Sequence, residues 1–466
     1  MKKFKKAIAL SLALAMGLSL VACGKDEKKD DTTEKAPASE SEASSEEKST
    51  DTESQATDEV PTMEMTTGNG KAIHVYAWNN ETGDLIKQFL YKDYPELEDL
   101  VITHDLGLGG TDAEYITQLS NAFSGEEAPA VIAADIDAAK NIMEQDFVVP
   151  LSDIGFNEDC YANAYDYTVE YATKDGKLYG ATWQVTPGVV CYRTDIAQDV
   201  LGFSEPDKVA EAISTWDKFF DVAAQMKEKG YYMLSGYDDI KYPMLDSRTE
   251  SWVVDGKLVV DSSIDTYLEY SKKLKDEGYT HETTMWQGDW TPNMSGDVFC
   301  YFGTTWFVPF SLSIDGTDAF GKYNVCAGPV EYHWGGSFLM AGKDCVNPEL
   351  AAFVIYYMTC DEKHLYEQAT TENTMNFPNN KKVAADLIAA GEGSMEKLGG
   401  QNPYPVYDEL LKSVDLSLST KYDVNLNAQL DKVVSAYANG EYADVAAAKD
   451  YLKTLVLENV PEVTVE

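Results

Sequence analysis

Residues 71–78, KAIHVYAW, open a run of alternating elements that decides the fold of this chain. They read as a strand, and residues 84–91, DLIKQFLY, place their apolar side chains on one face of a helix. Residues 100–106, LVITHDL, and 129–135, PAVIAAD, predict two more strands, and a capping-box pattern opens a helix over 111–123 between them. Strands that alternate with helices predict a parallel α/β arrangement.

Farther along, the pattern becomes more helical but remains of the α/β class. Further strands are expected at 177–183, 189–195 and 297–303. Further helices are expected near 137–145, at 215–229 and 264–277, after the N-cap and N1 pair Asn347-Pro348, and over most of 403–460.

The N-terminus has the layout of an export signal. MKKFKK carries four lysines, and the apolar stretch from Ala7 to Ala22 is shorter than the roughly 20 residues of a membrane span. Residues 20–23, LVAC, resemble the lipobox of bacterial lipoproteins, which implies that Cys23 is lipidated and becomes the mature N-terminus. We therefore expect a signal peptide at 1–22 and an extracytoplasmic protein anchored to the cell membrane.

Residues 23–70 are predicted to be the lipidated cysteine followed by a disordered linker. The linker is rich in Ser, Thr, Glu, Asp, Lys and Ala, and it has almost no large apolar side chain before Val60. Such a chain cannot bury enough surface to offset the entropy lost on ordering. The folded body is therefore expected to begin at about Lys71.

The folded body that begins at about Lys71 is long enough for two domains, and its composition disfavours some partners. A formal net charge of −42 makes nucleic acid a poor partner. Only Arg193 and Arg248 supply arginine, which disfavours phosphate, sulfate or dicarboxylate ligands. The six cysteines after Cys23 show no zinc-like spacing, and several lie in apolar runs, so buried free thiols are expected.

No sequence signature of catalysis, cofactor binding or metal binding is present. The five histidines lack the HExxH spacing, and neither a GxSxG elbow nor a Walker sequence occurs. Residues 107–110 are not a dinucleotide fingerprint, and residues 135–137 lack the Gly and Glu of a calcium loop. The sequence therefore predicts no catalytic residue, no cofactor and no metal.

Tryptophans beside polar side chains are the most informative residues. Trp78, Trp183 and Trp306 end predicted strands, where open α/β sheets present ligands. Trp334 lies in the glycine-rich turn HWGGS, and Trp286 and Trp290 bracket the loop MWQGDW. Their polar neighbours are Asn79, Asn80, Glu81, Gln184 and Asp289. Flat rings beside carboxylates and amides suit a pyranose, which has apolar faces and a rim of hydroxyls.

Several stretches together resemble the extracellular solute-binding lipoproteins of carbohydrate ABC transporters, the maltose-binding-protein-like family. They include HVYAWNNETGD at 74–84, YITQLSNAFSGEEAPAVIAADID at 115–137, DGKLYGATWQVTPGVVCYRTDIAQ at 175–198, STWDKFFDVAAQMKEKG at 214–230, GDVFCYFGTTWF at 296–307, and HWGGSFLMAGKDCVNPELAAFVIYYMTC at 333–360. The resemblance implies a two-lobed periplasmic-binding-protein-like fold with a hinge between the lobes.

The same resemblance implies an organisation and a partner. Lobe 1 would comprise residues 71–183 plus about 329–372, and lobe 2 about 184–328 plus 373–466. The protein would be a monomer without enzyme activity that traps a mono- or oligosaccharide and delivers it to the membrane permease subunits of an ABC transporter.

The resemblance also implies roles for individual residues. Trp78 to Glu81 would line the cleft, and Asp135 would bind hydroxyls. Trp183 would lie at the first crossing between the lobes, and Trp306 would be the main stacking platform. Trp334 would lie at the edge of a return crossing marked by Gly335-Gly336. With the loop residues, the expected ligand contacts are Trp78, Asn79, Asn80, Glu81, Asp135, Trp183, Asp289, Trp290, Trp306 and Trp334.

Two other functions stay open from the sequence. A surface glycoside hydrolase would also combine tryptophans with carboxylates, at a defined separation of two carboxyl groups. A transporter component for a polyamine, a peptide or an amino acid would suit the acidic composition, with Glu81, Asp135 and Asp289 pairing with amines.

Overall fold

The computed structural model describes residues 60–111 and 113–465. The expected signal peptide at 1–22, the lipidation site Cys23 and linker residues 24–59 lie outside the described residues, as does Asp112 of the capping pattern. The strands, in chain order, are β1 (Ile73–Ala77), β2 (Val101–Asp105), β3 (Pro129–Asp135), β4 (Val148–Val149), β5 (Thr173–Lys174), β6 (Lys177–Leu178), β7 (Gly180–Thr182), β8 (Val189–Arg193), β9 (Leu234–Gly236), β10 (Val253–Val254), β11 (Lys257–Leu258), β12 (Thr280–Thr283), β13 (Cys300–Gly303), β14 (Tyr323–Cys326) and β15 (Ser337–Gly342).

Helices connect and cover these strands, and none in the described chain is both long and apolar enough to cross a membrane. The α-helices are α1 (Glu81–Leu85), α2 (Tyr91–Asp93), α3 (Ala113–Ala122), α4 (Ile136–Met143), α5 (Asp166–Ala172), α6 (Thr194–Leu201), α7 (Pro206–Ala212), α8 (Trp216–Glu228), α9 (Lys241–Asp246), α10 (Ser262–Asp276), α11 (Pro348–Thr359), α12 (Glu362–Thr370), α13 (Lys381–Ala390), α14 (Tyr404–Leu410), α15 (Asp423–Ala438) and α16 (Val445–Asn459). A π-helical turn at Ile86–Leu90 joins α1 to α2.

A six-stranded sheet confirms the parallel start of the fold. Its order is β2-β1-β3-β15-β4, and β7 also pairs with β15. Strand β1 pairs in parallel with both β2 and β3. Strand β15 returns from late in the chain and runs antiparallel to β3, β4 and β7. Every residue of β15 is buried, as in strands covered on both faces.

A second group of strands forms separately. Strands β13, β8 and β14 make an antiparallel sheet, and β9 pairs in parallel with β12. The chain crosses from the first sheet to the second between β7 and β8, and it returns between β14 and β15. These two crossings run side by side, since Pro187 bridges His333 and the Gly188 N–H donates to the Tyr332 carbonyl at 2.6 Å. The connections position residues that line a cavity of about 920 Å³.

All six cysteines in the described chain are free thiols, and five of them are buried. The expectation of buried free thiols is therefore confirmed for all but Cys345, which is half-buried. Both arginines are engaged within the fold. Arg193 forms two 2.8 Å hydrogen bonds to the carboxylate of Asp195, and Arg248 forms a 3.0 Å ion pair with Asp423.

Residues 60–70 are packed against the body, so the linker prediction is wrong for this segment. Met63 and Met65 contact the core, which gives the segment an apolar anchor. The buried side chain of Asn347 donates to the Thr67 and Lys71 carbonyls at 3.0 and 2.8 Å. Asn347 lies at the N-cap position of α11, as expected, but its side chain makes no capping bond because it holds this segment instead.

Replacing Asn347 with alanine is expected to release residues 60–70 and to lower the free energy of unfolding by about 1–2 kcal/mol, since two partly buried carbonyls lose their donor. The segment should then exchange its amide hydrogens much faster and become sensitive to protease. Hydrogen-exchange mass spectrometry measures the exchange of residues 60–70 and of the rest of the fold in one experiment. Unchanged exchange in residues 60–70 would show that the methionine contacts hold the segment without Asn347.

Candidate ligand-binding site

A cavity of about 920 Å³ opens where β1 and β3 end. The first sheet and its loops contribute one wall, and residues from the second group of strands contribute the other. Its lining comprises Trp78, Asn79, Asn80, Glu81, Asp84, Leu85, Gln88, Leu108, Gly109, Gly110, Thr111, Asp135, Asp137, Gln184, Tyr242, Trp286, Trp306, Phe310, Ser311, Trp334, Gly335, Gly336, Ser337, Asn373 and Thr374.

The residues after β1 form the first wall because the strand ends and a helix begins there. Trp78 packs edge-on against Tyr115, with 6.2 Å between ring centroids. Gly110 lies against the same indole, and a Cβ added there would come within 3.0 Å of the ring, so only glycine fits. The Asn79 Oδ1 accepts from the Glu81 N–H at 3.1 Å, which shapes the turn into α1.

Two carboxyl groups lie in this wall in a poorly solvated position. Burial raises the pKa of Glu81 to about 7, and a weak hydrogen bond from Ser337, at 3.5 Å, lowers it only partly. Burial and the nearby Asp137 raise the pKa of Asp135 to about 8. The Asp135 Oδ1 also accepts from the Asp137 N–H at 2.9 Å, which caps α4. Protonated carboxyls at neutral pH can both donate to and accept from hydroxyl groups.

Aromatic rings form the opposite wall. Tyr242 stacks on Trp334 with 4.6 Å between centroids and 24° between planes. The Trp306 Nε1–H donates to the Trp334 carbonyl at 3.1 Å, which fixes the indole at the end of the segment after β13. Trp286 lies nearly parallel to Trp306 at 6.3 Å. Trp286 is 52% exposed at a left-handed backbone position (φ +66°), which is uncommon for a bulky residue and is often found at functional sites.

The return crossing brings the two walls together. Gly335 and Gly336 have φ values of +62° and +118°, which favour glycine. A Cβ added at Gly335 would lie 3.2 Å from the Trp306 Nε1, so the turn passes directly against the indole. The Thr186 hydroxyl of the other crossing donates to the Gly335 carbonyl at 2.7 Å.

The structure brings most of the expected ligand contacts together, but it leaves three of them out of the cavity lining. Trp183 and Trp290 are each 1% exposed and pack in the core, where the Trp290 Nε1–H donates to Asp239 at 2.6 Å. Asp289 is exposed to solvent away from the lining. The residues that do line the cavity are Trp78, Asn79, Asn80, Glu81, Asp135, Trp306 and Trp334.

The other lining residues were not expected from sequence as ligand contacts, and they include Trp286, Asp137 and Tyr242. Trp286 was visible only as one end of the MWQGDW loop, whose other tryptophan is the buried one. Asp137 follows the strand-end Asp135 by two residues, and this spacing is a usable signal. Tyr242 opens no recognisable motif, and its position against Trp334 depends on how α9 packs.

The charged side chains that line the cavity in the described chain are all acidic. Glu81, Asp84, Asp135 and Asp137 contribute carboxyl groups, and none of the described residues that line it is Lys, Arg or His. His333 lies just behind Asp137. Although burial lowers the pKa of His333, its 2.6 Å contact with Asp246 raises it overall. The described lining therefore offers an anionic ligand no cationic side chain.

Replacing Glu81 with glutamine is expected to change how stability depends on pH. A carboxyl whose pKa is raised in the folded state stabilises the fold at low pH, and this contribution is lost as the pH rises from about 4.5 to 7. The free energy of unfolding of the wild type should therefore fall between pH 5 and pH 8 by on the order of 2 kcal/mol more than that of the variant. Urea unfolding of both proteins at pH 5 and pH 8 measures the difference. An equal change of unfolding free energy in the two proteins would contradict a raised pKa of Glu81.

Comparison with known proteins identifies the family to which this sequence is similar. The sequence profile of a family described as bacterial extracellular solute-binding protein matches residues 39–393. The sequence matches none of the curated proteins with which it was compared.

Solved structures share the fold at low sequence identity. The binding protein of an ABC transporter from B. animalis subsp. lactis, in complex with β-1,6-galactobiose, is 19% identical with a TM-score of 0.67, over 85% of this chain and 99% of that chain. The galacto-N-biose/lacto-N-biose I-binding protein from Bifidobacterium longum is 15% identical with a TM-score of 0.66, over 85% and 98% of the two chains. Maltose-bound MalE3 of T. maritima is 16% identical with a TM-score of 0.63, over 83% and 99%.

The family match spans more than half of the 466-residue chain, and the solved structures share its two-lobed α/β fold. The family is defined by solute binding and is not an enzyme family. This protein belongs to the bacterial extracellular solute-binding proteins.

Proposed function

We propose that this protein binds a mono- or oligosaccharide in the 920 Å³ cavity and delivers it to the membrane permease of an ABC transporter. The observation that carries the proposal is the combination of aromatic rings with paired polar groups around one cavity. Trp306 offers a flat face, and Glu81 and Asp135 offer oxygens that can bind hydroxyls. Sugar-bound structures of similar fold support the same ligand class.

We propose that ligand capture closes a hinge between two lobes. Lobe 1 comprises residues 71–183 plus about 329–372, and lobe 2 comprises about 184–328 plus 373–466. In support, every strand of the six-stranded sheet falls in the first set of ranges, and strands β8, β13 and β14 fall in the second. A ligand that contacts both walls stabilises the closed state by its differential affinity. The protein acts as a monomer and performs no covalent chemistry.

A cationic ligand is the second candidate, because the lining combines four carboxyl groups with aromatic rings and has no cationic side chain among its described residues. An amine would pair with ionised carboxylates and contact the ring faces. It would bind more tightly as the pH rises and Glu81 and Asp135 ionise, whereas a neutral sugar does not require ionised groups.

Intrinsic tryptophan fluorescence tests the two candidates, since Trp286, Trp306 and Trp334 line the cavity. The protein is titrated with a panel of mono- and oligosaccharides and with spermidine, and the sugars are analysed afterwards by chromatography. A saturable shift with an intact sugar supports the carrier proposal. A response to spermidine alone supports the cationic ligand, and appearance of cleaved sugar would instead indicate a glycoside hydrolase.

Membrane anchoring through Cys23 is proposed from the lipobox sequence alone. Replacing Cys23 with serine is expected to move the protein from the membrane fraction to the soluble fraction, because the thiol that receives the lipid is gone. Fractionation followed by mass spectrometry of the N-terminal peptide measures this. A membrane-bound serine variant would contradict lipid attachment at this residue.

A further inference from the structure

Two histidines meet at the edge of the six-stranded sheet, far apart in sequence from each other. Strand β2 is the edge strand, and its His104 lies opposite Tyr76 of β1. His74 lies two residues before Tyr76 and therefore points to the same face of the sheet. The Nδ1 of His74 is 2.8 Å from the Nε2 of His104. Both side chains are half-buried, and neither lines the ligand cavity.

A carboxylate from a third element completes the group. Glu127 lies in the exposed loop between α3 and β3. One donor atom from each of His74, His104 and Glu127 lies within 4.8 Å of the other two. Because Glu127 is exposed, its side chain has room to move toward the imidazoles.

Tyr76 restricts the orientation of this group. Its ring stacks on the His104 imidazole with 4.3 Å between centroids and 15° between planes. Stacking covers the face of the imidazole and leaves its Nε2 at the ring edge, 2.8 Å from the His74 Nδ1. An oriented imidazole loses less entropy when it binds an ion than a freely rotating one does.

We propose that His74, His104 and Glu127 form a binding site for a divalent transition-metal ion, with Zn²⁺ as its best-suited occupant. Two imidazole nitrogens and one carboxylate oxygen are a ligand set that Zn²⁺ and its borderline neighbours accept, whereas Ca²⁺ and Mg²⁺ require oxygen ligands. Three protein ligands leave a fourth position for water. This site is separate from the ligand cavity and goes beyond the proposed function.

The coordination requires only small side-chain shifts. With metal–ligand distances of about 2.0–2.2 Å, tetrahedral donor atoms lie roughly 3.2–3.5 Å apart. The histidine nitrogens would separate slightly from 2.8 Å, and the carboxylate oxygen would approach by at most about 1.6 Å. The bound ion would replace the proton that the two imidazoles share and would join β1, β2 and the loop before β3.

Isothermal titration calorimetry with ZnCl₂ tests the proposal on tag-free protein that has been treated with a chelator. We expect one saturable ion per chain and a rise in melting temperature. His104→Ala and Glu127→Gln should each weaken binding at least tenfold. Glu126→Gln, on the same loop, and His281→Ala, another half-buried histidine with a carboxylate partner, are matched controls that should bind as the wild type does.

Cobalt absorption gives a second test, which does not depend on the histidine variant being folded. Co²⁺ bound to the wild type should give visible ligand-field absorption that Zn²⁺ displaces, and Glu127→Gln, an exposed change, should alter these bands. Equal Zn²⁺ affinity in the wild type and in either His104→Ala or Glu127→Gln would overturn the site. So would the absence of saturable binding, or weak multi-site binding shared by all variants, which would identify the acidic surface as the binder.

Discussion

Replacing Trp306 with alanine is expected to weaken ligand binding about 30- to 150-fold, a loss of roughly 2–3 kcal/mol, as for a central aromatic contact. The indole lines the cavity and is held from behind, because its Nε1–H donates to the Trp334 carbonyl at 3.1 Å. The two residues before it are also held, because the hydroxyls of Thr304 and Thr305 donate to the Pro187 and Val185 carbonyls at 3.0 and 2.8 Å. A fixed ring loses little entropy on binding, so most of its contact energy is retained.

Trp306→Phe is the matched control. Phenylalanine keeps a flat apolar face but lacks the hydrogen bond to Trp334, so we expect a loss of about tenfold or less. Titration calorimetry with the ligand found by fluorescence measures both variants, and their melting temperatures check the fold. Wild-type affinity in the alanine variant would move the stacking site to Trp78 or Trp286 and contradict the role given to Trp306.

Replacing Asn379 with alanine is expected to lower the free energy of unfolding by roughly 3 kcal/mol, because it breaks a buried hydrogen-bond network. Asn379 is 1% exposed. Its Nδ2 donates to the Tyr161 hydroxyl at 2.6 Å and to the Thr182 carbonyl at 3.1 Å, and its Oδ1 accepts from the Tyr165 N–H at 2.9 Å. The residue thus joins the end of β7, the start of α5 and the segment before α13.

Asn380→Ala is the matched control for this prediction. Asn380 is the next residue and is also buried, but its side chain only caps α13 by accepting from the Lys382 and Val383 N–H groups. Loss of a cap costs about 1 kcal/mol. Urea unfolding compares the two variants, and an equal cost for both would show that the contacts of Asn379 to Tyr161 and Thr182 add nothing beyond a cap.

Together, the two results would separate binding from architecture. The Trp306 variants change one wall of the cavity, and their melting temperatures separate a loss of stability from a loss of binding. The Asn379 variant acts beside the first crossing, where the Val185 N–H donates to the Phe377 carbonyl at 3.1 Å and the Asn376 side chain reaches Gln184. Since Gln184 lines the cavity, the affinity of Asn379→Ala measured well below its melting temperature reports how far this crossing positions the ligand.

Local pattern by itself determined the parallel start of the fold and one wall of the cavity. Alternation over 71–78 and 129–135 depends on neighbouring residues only, so β1 and β3 could be recognised without any partner. Strand ends present ligands in open α/β sheets, which is why Trp78 and Glu81 could be expected near a ligand, whereas Asp135 was expected there through the family resemblance. The near-absence of arginine likewise disfavoured phosphate, sulfate and dicarboxylate ligands before any side chain was placed.

Only the tertiary structure decided which aromatic residues face the ligand and which polar side chains meet. Trp286 and Trp290 are four residues apart, yet one lines the cavity and the other packs in the core, because long-range packing selects the buried ring. Asn347 reaches back to Thr67 by a contact that leaves no local periodic signal. His74, His104 and Glu127 are likewise brought together only by strand pairing, so no spacing in the sequence announces the proposed metal site.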